Sequence, residues 1–192
     1  MKKKMFVLAA LAIILATLAG GTLAYFTVSE TAHNVITTGG VDIELVEKTL
    51  DENGKEVPFP KNGLTGIMPN TTASKIVWVE NTSGSEAWIR AKLDFEIIGA
   101  DGKELPLTDE EGHDMIGYTT EGGWRMKDGW FYYSKPVAPD GKTLRLMEEV
   151  VFNPIMDNRY QNCTVHIDIT AQAVQTANNG ETVLEAQGWP ES

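Results

Sequence analysis

Cys163-Thr164-Val165-His166-Ile167-Asp168-Ile169-Thr170-Ala171-Gln172-Ala173 alternates apolar and polar residues without a break. Successive side chains of an extended chain point to opposite faces, so this run predicts a strand with one face in a core and the other toward water. A second run repeats the pattern: Ala87, Ile89, Ala91, Leu93, Phe95 and Ile97 fall on one face, and Trp88, Arg90, Lys92, Asp94 and Glu96 on the other. The inward residues of the two strands are expected to face one another across or within a single core. Cys163 is in phase with Val165, Ile167 and Ile169 and is expected to point inward as a small apolar residue.

Outward from these two strands, the same signals recur. Val41-Asp42-Ile43-Glu44-Leu45 alternates, and Lys75 to Glu80 is rich in β-branched and aromatic residues. Asn81-Thr82-Ser83-Gly84-Ser85 reads as the turn of a hairpin into Ala87. Strands are also expected over 130–134, following the Asp128-Gly129 turn, and over 144–152, following the turn Pro136 to Gly141. Residues 99–123 are acidic and Gly-rich and read as an elaborated surface loop. The one helical candidate is a short segment over 181–187. About seven to nine short strands with almost no helix indicate an all-β, antiparallel sandwich.

The N-terminus has a different character. Lys2, Lys3 and Lys4 precede the uncharged apolar run Met5 to Leu18, the layout of an export signal. Thr22 and Ala24 are the small residues a signal peptidase requires, which places the cut between Ala24 and Tyr25. A retained membrane anchor is the alternative, because the run approaches the roughly 17–20 residues that span a bilayer. Gly20-Gly21-Thr22, in place of a basic stop-transfer cluster, favours release.

This divides the chain into a signal peptide (1–24), a mobile N-terminal segment (25–38), a sandwich domain (39–177) and a polar C-terminal tail (178–192). Of 192 residues, removal of 24 leaves 168, enough for one domain with a real core. The net charge of -11 becomes -14 when the three leader lysines go, leaving 13 basic against 27 acidic residues. Such a chain is repelled by nucleic acid and by anionic membrane, so contact with a membrane is expected only through an uncleaved leader. A single cysteine leaves no internal disulfide to support an exported fold.

Three regions resemble the TasA/camelysin family of exported proteins, whose leaders are cut by a SipW-type signal peptidase. They are Gly21 to Thr27 with Asn34 and Gly40-Val41-Asp42-Ile43, then Pro69 to Lys75 with Val79-Glu80-Asn81-Thr82, Gly84-Ser85 and Ala87 to Arg90, and Asn158-Arg159-Tyr160-Gln161 with Val165 to Gln175. The resemblance implies a jelly-roll-like sandwich, secretion to the cell surface or extracellular matrix, and self-association into biofilm fibres. It further implies that an N-terminal segment completes a neighbour's sheet. In this sequence that segment is Tyr25 to Thr38, where Phe26, Val28, Val35 and Ile36 supply apolar anchors and no proline interrupts the backbone donors.

Some camelysin-like members are labelled metallopeptidases, and metal chemistry needs a set of His, Asp, Glu or Cys ligands. His33, His113 and His166 are too far apart in sequence to share a helix face, and no His-Glu-x-x-His occurs. A zinc site would have to be assembled from distant residues. Calcium is the better ion candidate, through Asp101, Asp109, Glu111 and Asp114 in one acidic loop, although their order is not that of an EF-hand. Ordinary solvated acid is the alternative there. Cys163 and His166 lie three apart on a strand, point to opposite faces and cannot form a catalytic pair. No Gly-x-Ser-x-Gly occurs. These residues favour a protein without cofactor or enzymatic activity. Alternation in Trp130-Phe131-Tyr132-Tyr133 puts Trp130 and Tyr132 on one face and Phe131 and Tyr133 on the other. One pair is expected in the core, and the other leaves a small outer patch suited to a glycan.

Overall fold

The computed structural model describes residues 26–28, 33–37 and 40–190. Along the chain the strands are β1 (Phe26–Val28), β2 (His33–Thr37), β3 (Ile43–Leu50), β4 (Glu56–Pro58), β5 (Leu64–Ile67), β6 (Thr72–Asn81) and β7 (Ala87–Ile98). They continue as β8 (Glu104–Leu105), β9 (Ile116–Thr119), β10 (Trp124–Lys127), β11 (Trp130–Tyr133), β12 (Met147–Phe152) and β13 (Thr164–Gln175). An eight-stranded sheet runs β10-β11-β7-β13-β1-β5, with β2 also on β13 and β8 on β7; a five-stranded sheet runs β4-β3-β6-β12-β9. Buried residues from both sheets form one core, so the chain is an all-β, two-sheet fold with the character of a sandwich.

The two decisive strands are neighbours within one sheet. β7 and β13 pair antiparallel over their whole lengths, from Thr164 opposite Ile98 to Gln175 opposite Ala87. Val165, Ile167, Ile169, Ala171 and Ala173 are fully buried, and Ile167 lies opposite Phe95, Ala171 opposite Ala91, and Ala173 opposite Ile89. Cys163 is buried in the same phase. The outward residue Asp168 is exposed, whereas Gln172 and Val174 are buried although they too point outward. Their burial has a local cause: residues 183–189 lie over that end of the sheet, with Val183 and Ala186 against Trp88 and Val174.

Four features depart from the sequence reading. The expected hairpin at 81–87 is a crossover, because β6 belongs to one sheet and β7 to the other. Asn81 makes that corner: its Nδ2 donates to the carbonyls of Ser85 and Val137, both at 2.8 Å. Its Oδ1 accepts from the backbone N–H and the hydroxyl of Ser83, at 3.0 and 2.7 Å. A buried side-chain amide with these partners replaces the ladder bonds that a hairpin would have made. The surface loop read over 99–123 contains β8 and β9, and β9 pairs with β12 as an edge of the smaller sheet. Met115 and Ile116 are buried there, and the surrounding Gly and acidic turn residues masked so short a strand. The segment 181–187 makes a turn, with the N–H groups of Glu185 and Ala186 both donating to the Thr182 carbonyl, and no helix forms. Finally, β1 and β2 run parallel to β13, so the sheet is mixed where antiparallel pairing was expected throughout.

A lysine lies in the core. Lys75 is 1% exposed and shares its phase on β6 with Ala73, Val77 and Val79. Its Nζ lies 3.0 Å from Glu47 Oε2 and 3.9 Å from the centre of the Phe59 ring. Burial pushes the Lys75 ammonium below its ordinary pKa, against the pull of Glu47 in the other direction. A paired charge at this depth is tolerated because carboxylate and ring both face it, and removing either partner alone strands the other.

The phase of β13 gives a direct test by thermal melting. Replacing Ile167, 0% exposed, with Asp places an unpaired carboxylate in the core and costs several kcal/mol, comparable to a domain's total stability of about 5–15 kcal/mol. Asp168→Ala, one residue along and exposed, changes stability by less than about 0.5 kcal/mol. Melting temperatures in the opposite order would show that the strand's faces are reversed.

Candidate functional site

The candidate assembly site is the second edge of β13, the edge away from β7. Thr27 and Val28 pair parallel with Thr164 and Val165, and His33 to Thr37 pair parallel with Ile169 to Ala173. Between Val28 and His33 the N-terminal segment advances five residues while β13 advances four, from Val165 to Ile169, so the segment carries one extra residue at that point. β1 is also closed on its far side, where it pairs antiparallel with β5 through Phe26 opposite Ile67 and Val28 opposite Leu64. Among the described residues no strand pairs with the far side of β2, where Val35 and Ile36 are 40% and 37% exposed. Of the four proposed anchors, Phe26 and Val28 thus lie on β1, and Val35 and Ile36 on β2. Ala24 and Tyr25, the proposed cleavage pair, lie outside the described residues.

Local geometry separates this segment from the body of the fold. Gly40 takes φ +72, a left-handed conformation that costs glycine nothing, and a Cβ placed there would meet nothing within 4 Å. The chain therefore turns between β2 and β3 at a position free of packing constraint, and the N-terminal strands meet β13 through backbone hydrogen bonds of the ladder.

In the acidic loop, two of the four calcium candidates come together, and a third residue joins them. Asp109 Oδ1 accepts from the backbone N–H groups of Glu111 (2.9 Å) and His113 (2.8 Å), while Oδ2 lies 2.9 Å from His113 Nδ1. These hydrogen bonds, the His113 backbone first, hold the Asp109 carboxyl below the usual range. Ligand atoms of Asp109, Glu111 and His113 lie within 4.8 Å of one another. Asp101 instead closes its own turn against Lys103 at 2.9 Å. Asp114 stands outside the group; its carbonyl accepts from Asn153 Nδ2. His113, read from sequence as a loop residue, is thus the member that pattern alone missed. His166 lies elsewhere, on β13 opposite Glu96.

The aromatic pairs divide as alternation requires. Phe131 and Tyr133 are buried, and Trp130 and Tyr132 are half-buried on the outer face. The outer pair is already engaged: the Arg90 guanidinium lies 4.1 Å from the Trp130 ring centre and 4.6 Å from that of Trp189, and Arg90 Nη1 donates to the Tyr132 hydroxyl at 3.2 Å. Arg90 was legible as outward-facing on its strand. Trp189 was not, because nothing local in the sequence says where the end of the chain lies. One face of the Trp130 ring thus carries a guanidinium.

No known protein family, curated protein or solved structure matches this chain.

Burial in apolar surroundings pushes the Cys163 thiol up to about 12. The buried thiol is therefore overwhelmingly protonated near neutral pH and shielded from reagents. Iodoacetamide at pH 8 is expected to leave the native chain unmodified and to alkylate it once in guanidinium chloride. Rapid native alkylation, seen in the intact mass, would place Cys163 at an accessible site.

Proposed function

We propose that the chain is a secreted structural protein of the cell surface or extracellular matrix. On this reading it is a jelly-roll-like sandwich released after Ala24 by a SipW-type signal peptidase, and its copies associate by exchanging the N-terminal segment 25–38. The observation that carries this reading is the ladder of β1 and β2 on β13. A strand that meets its sheet through backbone bonds, at the end of a chain and behind a glycine, can give the same bonds to a neighbour's β13. The exchange leaves the number of hydrogen bonds unchanged, so its balance is set by concentration and by the segment's freedom. The sequence resemblance to the TasA/camelysin family supports the same reading, as does the strongly acidic composition, which suits a solvated exterior.

Electron microscopy and a melting curve test this. A chain beginning at Gly40 retains the β7–β13 pair and the whole five-stranded sheet, and is expected to fold with a lower melting temperature and to form no fibres. The synthetic peptide Tyr25 to Thr38 is expected to cap growing ends and slow elongation of the intact protein. Fibres of ordinary length from the shortened chain would remove the segment from assembly. A second reading, a metal-dependent peptidase, draws on the group of Asp109, Glu111 and His113. Stoichiometric zinc together with chelator-sensitive cleavage of casein would put that reading in place of the structural one.

A further inference from the structure

Residues 176–190 cover the outer face of the eight-stranded sheet as a unit that holds its own shape. Asn179 Nδ2 donates to the Gln187 carbonyl at 3.0 Å, and the Gln187 N–H donates back to Asn179 Oδ1 at 2.7 Å. Within that ring the Thr182 carbonyl accepts from Glu185 and Ala186. Gly180 sits at φ +68, and a Cβ there would lie 2.9 Å from the Glu185 carbonyl carbon, so only glycine closes the turn. The segment is therefore closed by hydrogen bonds of its own.

It meets the sheet mainly through side chains. Val183 and Ala186 are buried against Trp88 and Val174. Trp189 stacks on the Arg90 guanidinium at 4.6 Å and meets the Tyr132 ring edge-on at 6.1 Å. Arg90 has partners besides Trp189: Nε and Nη2 donate to Gln172 Oε1 at 2.9 and 2.7 Å, and Nη1 donates to Tyr132. The receiving face is thus preorganised. Two of the polar links from the unit to the sheet are Trp88 Nε1 to the Asn179 carbonyl at 3.1 Å and Asn179 Nδ2 to the Gln175 carbonyl at 3.1 Å. Beside them, the buried Nε2 of Gln172 has no hydrogen-bond partner among the described residues, a cost that weakens the seam. The connection to β13 passes through Ala177 and Asn178, both exposed, with Asn178 at φ +57.

We propose that the face formed by Trp88, Arg90, Trp130, Tyr132 and Val174 is a docking site for residues 176–190, and that a second copy of the chain supplies them in trans. The seat fits this segment because it holds it already, and the contacts are identical from either copy. Cis and trans occupation then differ only by the effective concentration of the tethered segment, on the order of millimolar for a short linker. Exchange of an identical element is a low-cost route to a dimer. This contact is separate from the N-terminal strands and stands whether or not those assemble fibres.

Fluorescence anisotropy with a labelled peptide of residues 176–192 tests the site, using a chain that ends at Gln175. The peptide is expected to bind, and its Trp189→Ala version to bind at least about tenfold more weakly, because it loses both the stack on Arg90 and buried ring area. A shortened chain that keeps its near-UV circular dichroism yet binds no peptide at about 1 mM, the tethered concentration, would overturn the proposal. If the shortened chain fails to fold, the full chain carrying Gly180→Ala takes its place. That substitution opens the turn, and Trp189→Ala in the same chain removes the tethered segment's anchor while the receiving face is left intact, so absence of peptide binding there is equally fatal. The occupant is tested with the unaltered full chain by light scattering: dimers are expected to appear as concentration approaches about 1 mM and to dissolve with excess peptide. Peptide binding to a chain that stays monomeric throughout would exclude a second copy as the partner.

Discussion

The fold depends on β13 being a strand with two partners. One edge is permanently occupied, because β7 matches it residue for residue over twelve positions and both strands turn an apolar face into the same core. The other edge would present a row of unpaired N–H and C=O groups along a strand of high β-propensity, a template for uncontrolled pairing. Parallel β1 and β2 fill it. The pairings differ in kind: β7 is fixed by buried side chains, whereas β1 and β2 precede the body of the fold and reach it through Gly40. From this asymmetry come both the stability of the body and the exchangeability proposed for the N-terminal segment.

Buried polar groups organise the rest. The Asn81 side chain makes four hydrogen bonds at the corner where the chain leaves one sheet for the other, and holds that corner in place. Lys75 with Glu47 and Phe59 forms a charged island within the smaller sheet's inward face. Both engage partners inside the fold. Arg90 is the outward counterpart: anchored by Gln172 and Tyr132, it offers its flat faces to Trp130 and Trp189 and so ties the end of the chain to the sheet.

How much of this was legible follows from the range of the interactions. Strand existence and face were readable wherever alternation persisted, as at Ala87 to Ile97, 163–173 and Trp130 to Tyr133, because a period of two is a local property. β9 was lost among turn residues, since four residues carry too little pattern against Gly and acidic neighbours. The corner at Asn81 was misread because a hairpin turn and a crossover between sheets use the same residue types; only the distant Val137 carbonyl distinguishes them. Parallel pairing of the N-terminal strands and the meeting of Trp189 with Arg90 bring together residues far apart in sequence, and no short-range signal encodes either. In the acidic loop the carboxylates were visible, while the inclusion of His113 and the exclusion of Asp101 depended on which backbone groups each carboxylate accepts.

Residue-resolved amide exchange along β13, in the full chain and in one beginning at Gly40, tests the two-edge account most directly. Backbone N–H groups alternate between the two edges, so truncation is predicted to speed exchange at alternate amides of the stretches that β1 and β2 cover, Thr164 to Val165 and Ile169 to Ala173, while those bonded to β7 stay protected. Unchanged protection at every amide of β13 would mean that the N-terminal strands do not hold that edge, and the account built on their exchange would fail.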